Sequence, residues 1–323
     1  MAMAHGHHVT GLDVGYFSSC GALAAVDRQI MRDVRDVQPE DLDGVDAIIH
    51  LAGLSNDPMG AFDPQLTHQI NQVATLRLAQ LAKSRGVERF VFASSCSLYG
   101  AAGGETALDE TAPMAPVSAY AVSKAGSETG LLALADDRFS PVLMRNATAF
   151  GVGPRPRFDL VVNNLAGWAH TTGALQVLSD GTPWRPLIHI EDISHAAICA
   201  AQAPRSAVHA HAFNIGRPDA NYQVRDIAAE VGRAFPQARL NITGEAGGDP
   251  RSYRVSFDKA LHQLPGFSPK WTLAEGVDEV ARWLHDGGLG GHAFNSARFI
   301  RLACLQAGVD EGQLDRELRR IAA

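Results

Sequence analysis

The run Asp46-Ala-Ile-Ile-His-Leu-Ala-Gly53 is nearly continuous in apolar residues and ends on a glycine. A strand buried on both faces of a parallel sheet reads this way, whereas a half-solvated strand alternates. The small terminal residue marks a strand end that something approaches closely, and ligands of open α/β sheets bind at such carboxyl ends. Outward from this run the pattern repeats. Asp63-Pro64 supplies an N-cap and a first-turn proline, Leu66, Ile70, Val73 and Leu81 recur at helical spacing, and Gly86 closes the helix. Arg89-Phe-Val-Phe-Ala-Ser-Ser95 is the next strand and delivers Ser94 and Ser95 to the same sheet edge. After a loop containing Gly103, Gly104, Pro113 and Pro116, Ser118 caps a helix, and Pro141-Val-Leu-Met-Arg145 follows as another strand. Strands alternating with helices predict an α/β fold with a doubly wound parallel sheet.

Upstream, residues 1–13 read as the end of a helix, a Gly6 cap and a short strand closing on Asp13. An acid at such a strand end either binds the ribose hydroxyls of a dinucleotide or sits solvated in a loop. Asp33-Val-Arg-Asp36 follows a second short strand with the same two readings. Downstream of Gly151 the character changes, with Arg155, Arg157, Asn163 and Asn164, then Ser179 to Asp192, and a second Arg-bearing loop from Gly248 to Arg254. The division predicted is a dinucleotide-binding lobe over 1–150 and a mainly substrate-binding lobe over 151–323, with strands near 186–190 and 212–216 returning to the first sheet. Arg225 to Phe235 reads as an amphipathic helix, and the tail from Thr272 as helical stretches broken at Gly287 to Gly291. Phe299, Ile300, Leu302 and Ala303, then Leu314, Leu318 and Ile321, read as amphipathic helices that close a lobe.

The chemistry is concentrated in Tyr120-Ala-Val-Ser-Lys124, where the helical i, i+4 spacing puts phenol and ammonium on one face. A nearby cation favours the phenolate and is expected to lower the Tyr120 pKa, suiting it to move a proton to or from a hydroxyl. Bulk composition excludes other classes. The net charge of -7 over 323 residues argues against a general nucleic-acid binder. Cys20, Cys96, Cys199 and Cys304 form no Cys-x-x-Cys and read as reduced thiols of a cytoplasmic chain. No membrane-spanning run or signal pattern is present, and His209-Ala-His211 lacks a third ligand, so no metal is expected.

With Ser95, Tyr99-Gly100 and Tyr120-x-x-x-Lys124 assembled, the chain resembles the extended short-chain dehydrogenase/reductase family, specifically its NAD-dependent sugar-nucleotide epimerases and dehydratases. His50-Leu-Ala-Gly53, Asn71, Ser94 to Gly100, Arg145 with Gly151, Asn163-Asn-Leu165 and Arg185-Pro-Leu-Ile-His-Ile190 fall in that family's order from about His5 to about Trp283. The resemblance implies a Rossmann-like sheet, NAD as cofactor, a nucleotide-linked sugar as substrate, and a homodimer formed through the helices at Leu66 to Lys83 and Tyr120 to Leu134. It implies Tyr120 as acid/base, Lys124 as its tuning group and nicotinamide-ribose ligand, Ser95 as hydroxyl partner and Asn71 as organiser. Asp13 would take the adenosine ribose, Asp33 and Val34 the adenine, and Leu51, Ala52 and Gly53 would line the cofactor. Arg185, Arg251 and Asn164 would bind the sugar-nucleotide diphosphate, since guanidinium forks match phosphate oxygens.

Two departures from the pattern are visible. Cys96-Ser97 stand where the dehydratases carry an Asp-Glu pair, so epimerisation or keto reduction fits better than loss of water; Cys96 itself reads as a buried small residue. The family also begins with a strand and a Gly-x-x-Gly-x-x-Gly turn roughly 20 residues before the ribose-binding acid, whereas 12 residues precede Asp13. Lack of that strand and turn is expected to leave two unpaired strand edges or close the sheet around the gap, and to weaken NAD binding. The alternatives are a cofactor-free binding protein on the same fold and an acid/base enzyme without hydride transfer.

Overall fold

The structure is a computed structural model that describes residues 1–22, 25–100, 106–244 and 251–321. Gly103 and Gly104 of the first loop, and Gly248, Asp249 and Pro250 of the second Arg-bearing loop, lie outside the described residues. In chain order the regular elements are β1 (Thr10–Asp13), β2 (Arg28–Met31), β3 (Ala47–His50), α1 (Asp57–Phe62), α2 (Pro64–His68), α3 (Ala74–Ser84), β4 (Arg89–Ser95), α4 (Ala119–Leu134), β5 (Ser140–Asn146) and β6 (Thr148–Phe150). They continue as α5 (Val161–Thr172), β7 (Ala174–Val177), β8 (Trp184–His189), α6 (Ile190–Gln202), α7 (Arg205–Val208), β9 (His211–Ile215), β10 (Asn221–Gln223), α8 (Val224–Ala234), β11 (Arg239–Ile242), α9 (Asp258–Gln263), α10 (Leu273–His285) and α11 (Arg301–Asp310).

The central sheet is parallel, in the order β3-β4-β5-β9. Its two faces bury different partners because side chains alternate along a strand. Val91, Val142, Met144 and Phe213 pack toward α6 and α9. Phe90, Phe92 and Leu143 pack toward α3 and Leu131 of α4. Helices on both faces explain why the inner strands β4 and β5 are buried along nearly their whole length, whereas β3 at the edge is exposed at Ala47 and half-buried at Ile48 and Ile49. A third apolar cluster joins α5, α8 and α10 to β7 and β8.

The single doubly wound sheet expected from the sequence is instead divided. Among the described residues β1 and β2 pair in parallel with each other and β3 pairs only with β4, so β1–β2 stands apart from the central sheet rather than closing onto it. Side-chain packing joins the two sheets in place of hydrogen bonds: Leu12, Val34, Val37 and Leu42 share one apolar cluster with Ile48, Phe90 and Phe92. The return of 186–190 to the first sheet is also corrected. The chain leaves the central sheet after Ala147, and β8 pairs with the departing β6 and with β10, whereas β9 lies beside β5.

The helix expected from Asp63 does start there, with Asp63 accepting from the amides of Gln65 and Leu66. It is not uniform. A π-helical turn at Gln69–Val73 separates α2 from α3, and the added residue leaves Val73 50% exposed while Asn71 is buried. The tail differs as well. Residues 314–321 are not helical, because Leu318 adopts φ 55° and the Asp315 carboxylate takes the amides of Glu317 and Arg319 into a turn. Leu305, Leu314 and Leu318 are buried with Val34 and Leu42, so the tail packs against the first part of the chain.

Leu305→Ala is therefore expected to cost about 2–5 kcal/mol of unfolding free energy, the range for emptying a buried leucine site. Urea denaturation monitored by circular dichroism measures it, and a loss well below ~1 kcal/mol would remove Leu305 from the core.

Candidate active site

Tyr120 and Lys124 project from the first turns of α4, whose start Ser118 caps by accepting from the Ala121 amide at 3.2 Å. Lys124 is 5% exposed. Its Nζ donates to the Ala93 carbonyl of β4 at 2.6 Å, lies 4.6 Å from the Phe92 ring centroid and 5.8 Å from that of Tyr120. Burial lowers the Lys124 pKa to about 8, with the Glu128 carboxylate opposing the shift. The Tyr120 phenol moves the other way from the sequence expectation. Burial raises its pKa above the ordinary value, while a hydrogen bond from Ser95 pulls it down, Asp57 raises it, and Arg157 and Arg251 lower it. Lys124 does not dominate Tyr120, because its ammonium is bound to the Ala93 carbonyl and is itself desolvated.

Below this pair lies a charge network. Glu128, one turn beyond Lys124, meets Arg145 of β5 with 2.8 Å between Oε2 and Nη2 and 3.1 Å from Nε to each carboxylate oxygen. Ser94 donates to Glu128 Oε1 at 2.5 Å, and Arg145 Nη1 donates to the Tyr99 hydroxyl at 3.0 Å. Tyr99 in turn donates to Asn214 Oδ1 on β9 at 2.7 Å. Nothing in the sequence reading selected Glu128, although its spacing from Lys124 places it on the same helix face.

Ser95 ends β4, and its Oγ also accepts from the Ser97 amide at 3.1 Å. Cys96 points away: its thiol donates to the Arg145 carbonyl at 3.1 Å, and burial pushes its pKa up. Asn71 acts through backbone. Its Oδ1 accepts from the Leu54 amide at 2.7 Å, and its Nδ2 donates to the Leu54 carbonyl at 3.0 Å and to Ser123 at 3.2 Å. Asn71 thus ties the turn after β3 to α4. Gly53 takes φ 151°, and a Cβ there would come within 2.9 Å of Asn71 Oδ1. Leu51 and Ala52 are exposed at this strand end, Leu51 by 64%.

Asp57 and Arg157 were not singled out as site residues from the sequence, yet both act electrostatically on Tyr120. Asp57 accepts from Ser118 and pairs with Arg251. Arg185 donates to the Arg251 carbonyl, which places the two arginines side by side. Arg157 pairs with Asp159 at 2.9 Å and donates to Ser55 at 3.0 Å. Asn164 donates to the Phe158 carbonyl at 2.8 Å, while Asn163 clamps Gly151 through both its amide atoms.

The residues fit NAD at one end. The buried Lys124 cation, the exposed Leu51-Ala52 end of the strand and the Gly53 turn, where Asn71 leaves no room for a side chain, lie together at the carboxyl edge of the sheet. Asp13 keeps 45% of its side chain exposed, with Arg155 at 3.4 Å and the Gly15 amide on its other oxygen. Asp33 and Val34 do not face an open surface. Arg35 pairs with Asp33 at 2.6 Å and Arg319 lies 3.7 Å away; burial raises the Asp33 pKa, but the Arg35 hydrogen bonds and charge outweigh it and hold the carboxyl below its ordinary value. Val34 is buried beside Leu314 and Leu318.

A strand-end Tyr-Lys-Ser group on a parallel α/β fold defines a class of enzyme, and comparison with known proteins gives it a family. The model of the NAD dependent epimerase/dehydratase family matches residues 1–216. The chain is 28% identical over 310 residues to the UDP-glucose 4-epimerase of Corynebacterium glutamicum, covering 89% of this chain and 91% of that protein. It is 30% identical over 266 residues to the UDP-glucose 4-epimerase of Neisseria gonorrhoeae, covering 74% and 76%. Its fold matches that of an NAD-dependent NDP-hexosamine 5,6-dehydratase of tunicamycin biosynthesis with a TM-score of 0.78 at 24% identity, over 88% and 92% of the chains. A UDP-glucuronic acid 4-epimerase from Bacillus cereus, in complex with UDP-glucuronic acid and NAD, gives 0.74 at 22% identity over 88% and 93%. The chain belongs to the NAD-dependent epimerase/dehydratase family. Among the described residues no helix is long and apolar enough to cross a membrane, and no cluster of His, Cys, Asp and Glu is suited to a metal.

Glu128→Gln should cost about 3–5 kcal/mol in urea denaturation, because it leaves Arg145 as a buried cation without its counter-charge. A loss near zero would show that the pair does not anchor α4. A second outcome concerns Lys124, whose pKa of about 8 in the fold compares with ~10.4 in an unfolded chain. Between these values the unfolded state holds the extra proton, so this group makes stability rise with pH across that window. The stability difference between Lys124→Met and the parent should thus shift in the parent's favour by about 1–3 kcal/mol from about pH 7 to about pH 10. An unchanged difference would mean that Lys124 titrates as an ordinary lysine.

Proposed function

We propose that this chain is an NAD-dependent epimerase of a nucleotide-linked sugar, with keto reduction as the nearest variant of the same chemistry. The observation that carries the reading is the convergence of Tyr120, Ser95 and Lys124 at the carboxyl end of β4, over the Ala93 carbonyl. Tyr120 acts in its phenolate form, which the Ser95 hydrogen bond and the charges of Arg157 and Arg251 favour against burial; it accepts the proton of the sugar hydroxyl and as the phenol returns it to the oxygen of the epimer. Ser95 holds the same oxygen, which fixes the atom from which the proton leaves. Lys124, positively charged and desolvated, stabilises negative charge on this face of the site. The chemistry that bound NAD would supply here is reversible hydride transfer at the sugar carbon. Lys124, Asp13, Leu51, Ala52 and Gly53 are the residues that would hold it, and Asn71 positions the turn that includes Gly53.

Arg251 and Arg185 are assigned to the diphosphate of the substrate, supported by their adjacency and by Arg251's position next to Asp57 and Tyr120. Asn164 is assigned to the same region. The division into a cofactor lobe over 1–150 and a substrate lobe over 151–323 follows this assignment. Two copies are expected to pair through α3 and α4, where Val122 and Leu132 are exposed beside Val73 of the π turn. The covered Asp33 and Val34 favour a second reading, an acid/base or binding protein that works without NAD.

Calorimetric titration with NAD separates the two readings: a saturable heat supports the dehydrogenase chemistry, and its absence in the full chain supports the second. With a UDP-hexose and NAD, Tyr120→Phe should lower turnover by about 100-fold or more with little change in melting temperature. Turnover equal to the parent would remove Tyr120 from the mechanism.

A further inference from the structure

Cys20 and Cys304 are separated by 284 positions in sequence, yet their sulfurs lie 3.5 Å apart. Cys20 ends a 3-10 turn at Ser18–Cys20 in the loop behind Asp13, and Cys304 lies on α11. Each sulfur also has a backbone acceptor across the same junction, Ala297 for Cys20 and Tyr16 for Cys304, both at 3.6 Å. Cys20 is fully buried and Cys304 partly so, which leaves the pair reachable from the Cys304 side. Arg301, one helical turn before Cys304, is buried. Its Nη2 donates to the Arg155 carbonyl at 2.9 Å, its guanidinium lies 4.6 Å from the Phe17 ring centroid, and its Nη1 has no hydrogen-bond partner among the described residues.

A buried guanidinium with no carboxylate in ion-pair contact among the described residues is costly; the charges acting in its favour come from Cys20, Asp159 and Cys304, and a thiolate of the cysteine pair would add negative charge beside it. We propose that Cys20 and Cys304 are a reversible dithiol-disulfide pair, a peroxide-responsive modification site that fastens the loop behind Asp13 to the C-terminal helix. The inference rests on this junction and does not depend on the activity proposed above. The titration of the pair agrees with it. The hydrogen bond from Cys304 and the charge of Arg301 outweigh burial and lower the Cys20 thiol to about 6, while the same neighbour and burial push Cys304 up.

The oxidation balances with hydrogen peroxide as oxidant. The thiolate attacks a peroxide oxygen, the O–O bond breaks, and hydroxide leaves, giving a sulfenic acid. The second thiol then attacks the sulfenyl sulfur, the S–S bond forms, the S–O bond breaks, and water leaves with the thiol proton. Two electrons pass from the two sulfurs to the peroxide. The sulfurs must close from 3.5 Å to a bond of about 2 Å. Once closed, the link would lock a junction in which Tyr16 already donates to the Leu318 carbonyl and Arg320 to the Val14 carbonyl. Cys96 and Cys199 serve as internal controls, since their sulfurs face the Arg145 carbonyl and His195 instead.

The test is peptide mapping of the reduced full chain after brief exposure to hydrogen peroxide near neutral pH, followed by alkylation. The expected result is a Cys20–Cys304 linked peptide, loss of both thiols from the free-thiol count, and their return with dithiothreitol. Cys20→Ser and Cys304→Ala should each abolish the linked peptide, and circular dichroism of both variants establishes that they fold. Arg301→Gln should slow iodoacetamide labelling of the pair at neutral pH by roughly tenfold. Recovery of both thiols unreacted, their separate conversion to sulfinic acids without a link, or linkage to Cys96 or Cys199 would each overturn the proposal. That peptide map is read on the parent chain, so it decides the matter even where a variant fails to fold.

Discussion

The buried pair between Glu128 and Arg145 is the interaction on which the site's geometry depends. Two charges taken out of water repay their desolvation only with close geometry and further hydrogen bonds. This pair has both, with bidentate contacts to the carboxylate, Ser94 on the remaining lone pair and Tyr99 on the guanidinium. The contacts come from α4, β4, β5 and the turn after β4, the elements that present Tyr120, Lys124, Ser95 and Ala93. A helix held by apolar packing alone slides or rotates at small cost; one fixed by a charge fork does not. The pair converts a loosely specified helix–sheet contact into a fixed register, and the distance from Lys124 to the Ala93 carbonyl follows from that register.

Electrostatics at the surface of the site then take a form that the spacing of Tyr120 and Lys124 does not give by itself. Two groups four residues apart on a helix are neighbours, and in water the ammonium would act mainly on the phenol. In the fold both are desolvated, so both are pushed toward their neutral forms. The Glu128 carboxylate opposes that for Lys124 by stabilising the ammonium. For Tyr120 the opposition comes from Ser95, Arg157 and Arg251, while Asp57 acts with burial. After burial the phenol is therefore governed by Ser95, Asp57, Arg157 and Arg251, and a change of charge among them acts directly on its proton.

Legibility in the sequence followed the range of the interaction. Arg89–Ser95 and Pro141–Arg145 read as buried strands because burial on both faces is a local pattern, and they lie buried in the central sheet. Asp46–Gly53 reads the same way and does give a strand of that sheet, but at its edge, where Ala47 and Leu51 are exposed and Ile48 and Ile49 half-buried. The Ser118 cap and the Tyr120-Lys124 spacing are equally local. The π turn at Gln69–Val73 left no mark in composition, since an extra residue in a helix is tolerated through tertiary contacts of Asn71 that lie 17 and 52 residues away. Leu314, Leu318 and Ile321 have helical spacing but no helix, because the tail's conformation is set by contacts with Tyr16, Arg35 and Val14 some 300 residues earlier in the chain. Asp57 and Glu128 were missed for the same reason: what gives each its role, Arg251 for one and Arg145 for the other, is distant in sequence.

The separation of β1 and β2 from the central sheet has a physical cost that the tail offsets. A strand edge without a ladder partner forfeits directional hydrogen bonds, and the β1–β2 pair alone would be marginal, as isolated two-stranded units are. Its stability has to come from side-chain packing and from the segments that cross it. The C-terminal residues supply both. Leu305, Leu314 and Leu318 complete the apolar cluster beneath Val34 and Leu42, and Arg319 and Arg320 bridge to Asp33, Asp36 and the Val14 carbonyl. That arrangement separates the roles of two acids that look alike in sequence. Asp33 is enclosed by Arg35 and Arg319 and acts as an anchor for the tail. Among the described residues Asp13, which ends β1, meets the Gly15 amide and, at longer range, Arg155. Of these two acids it is Asp13 whose side chain stays the more exposed, at its strand end, because the tail that encloses Asp33 does not reach its carboxylate.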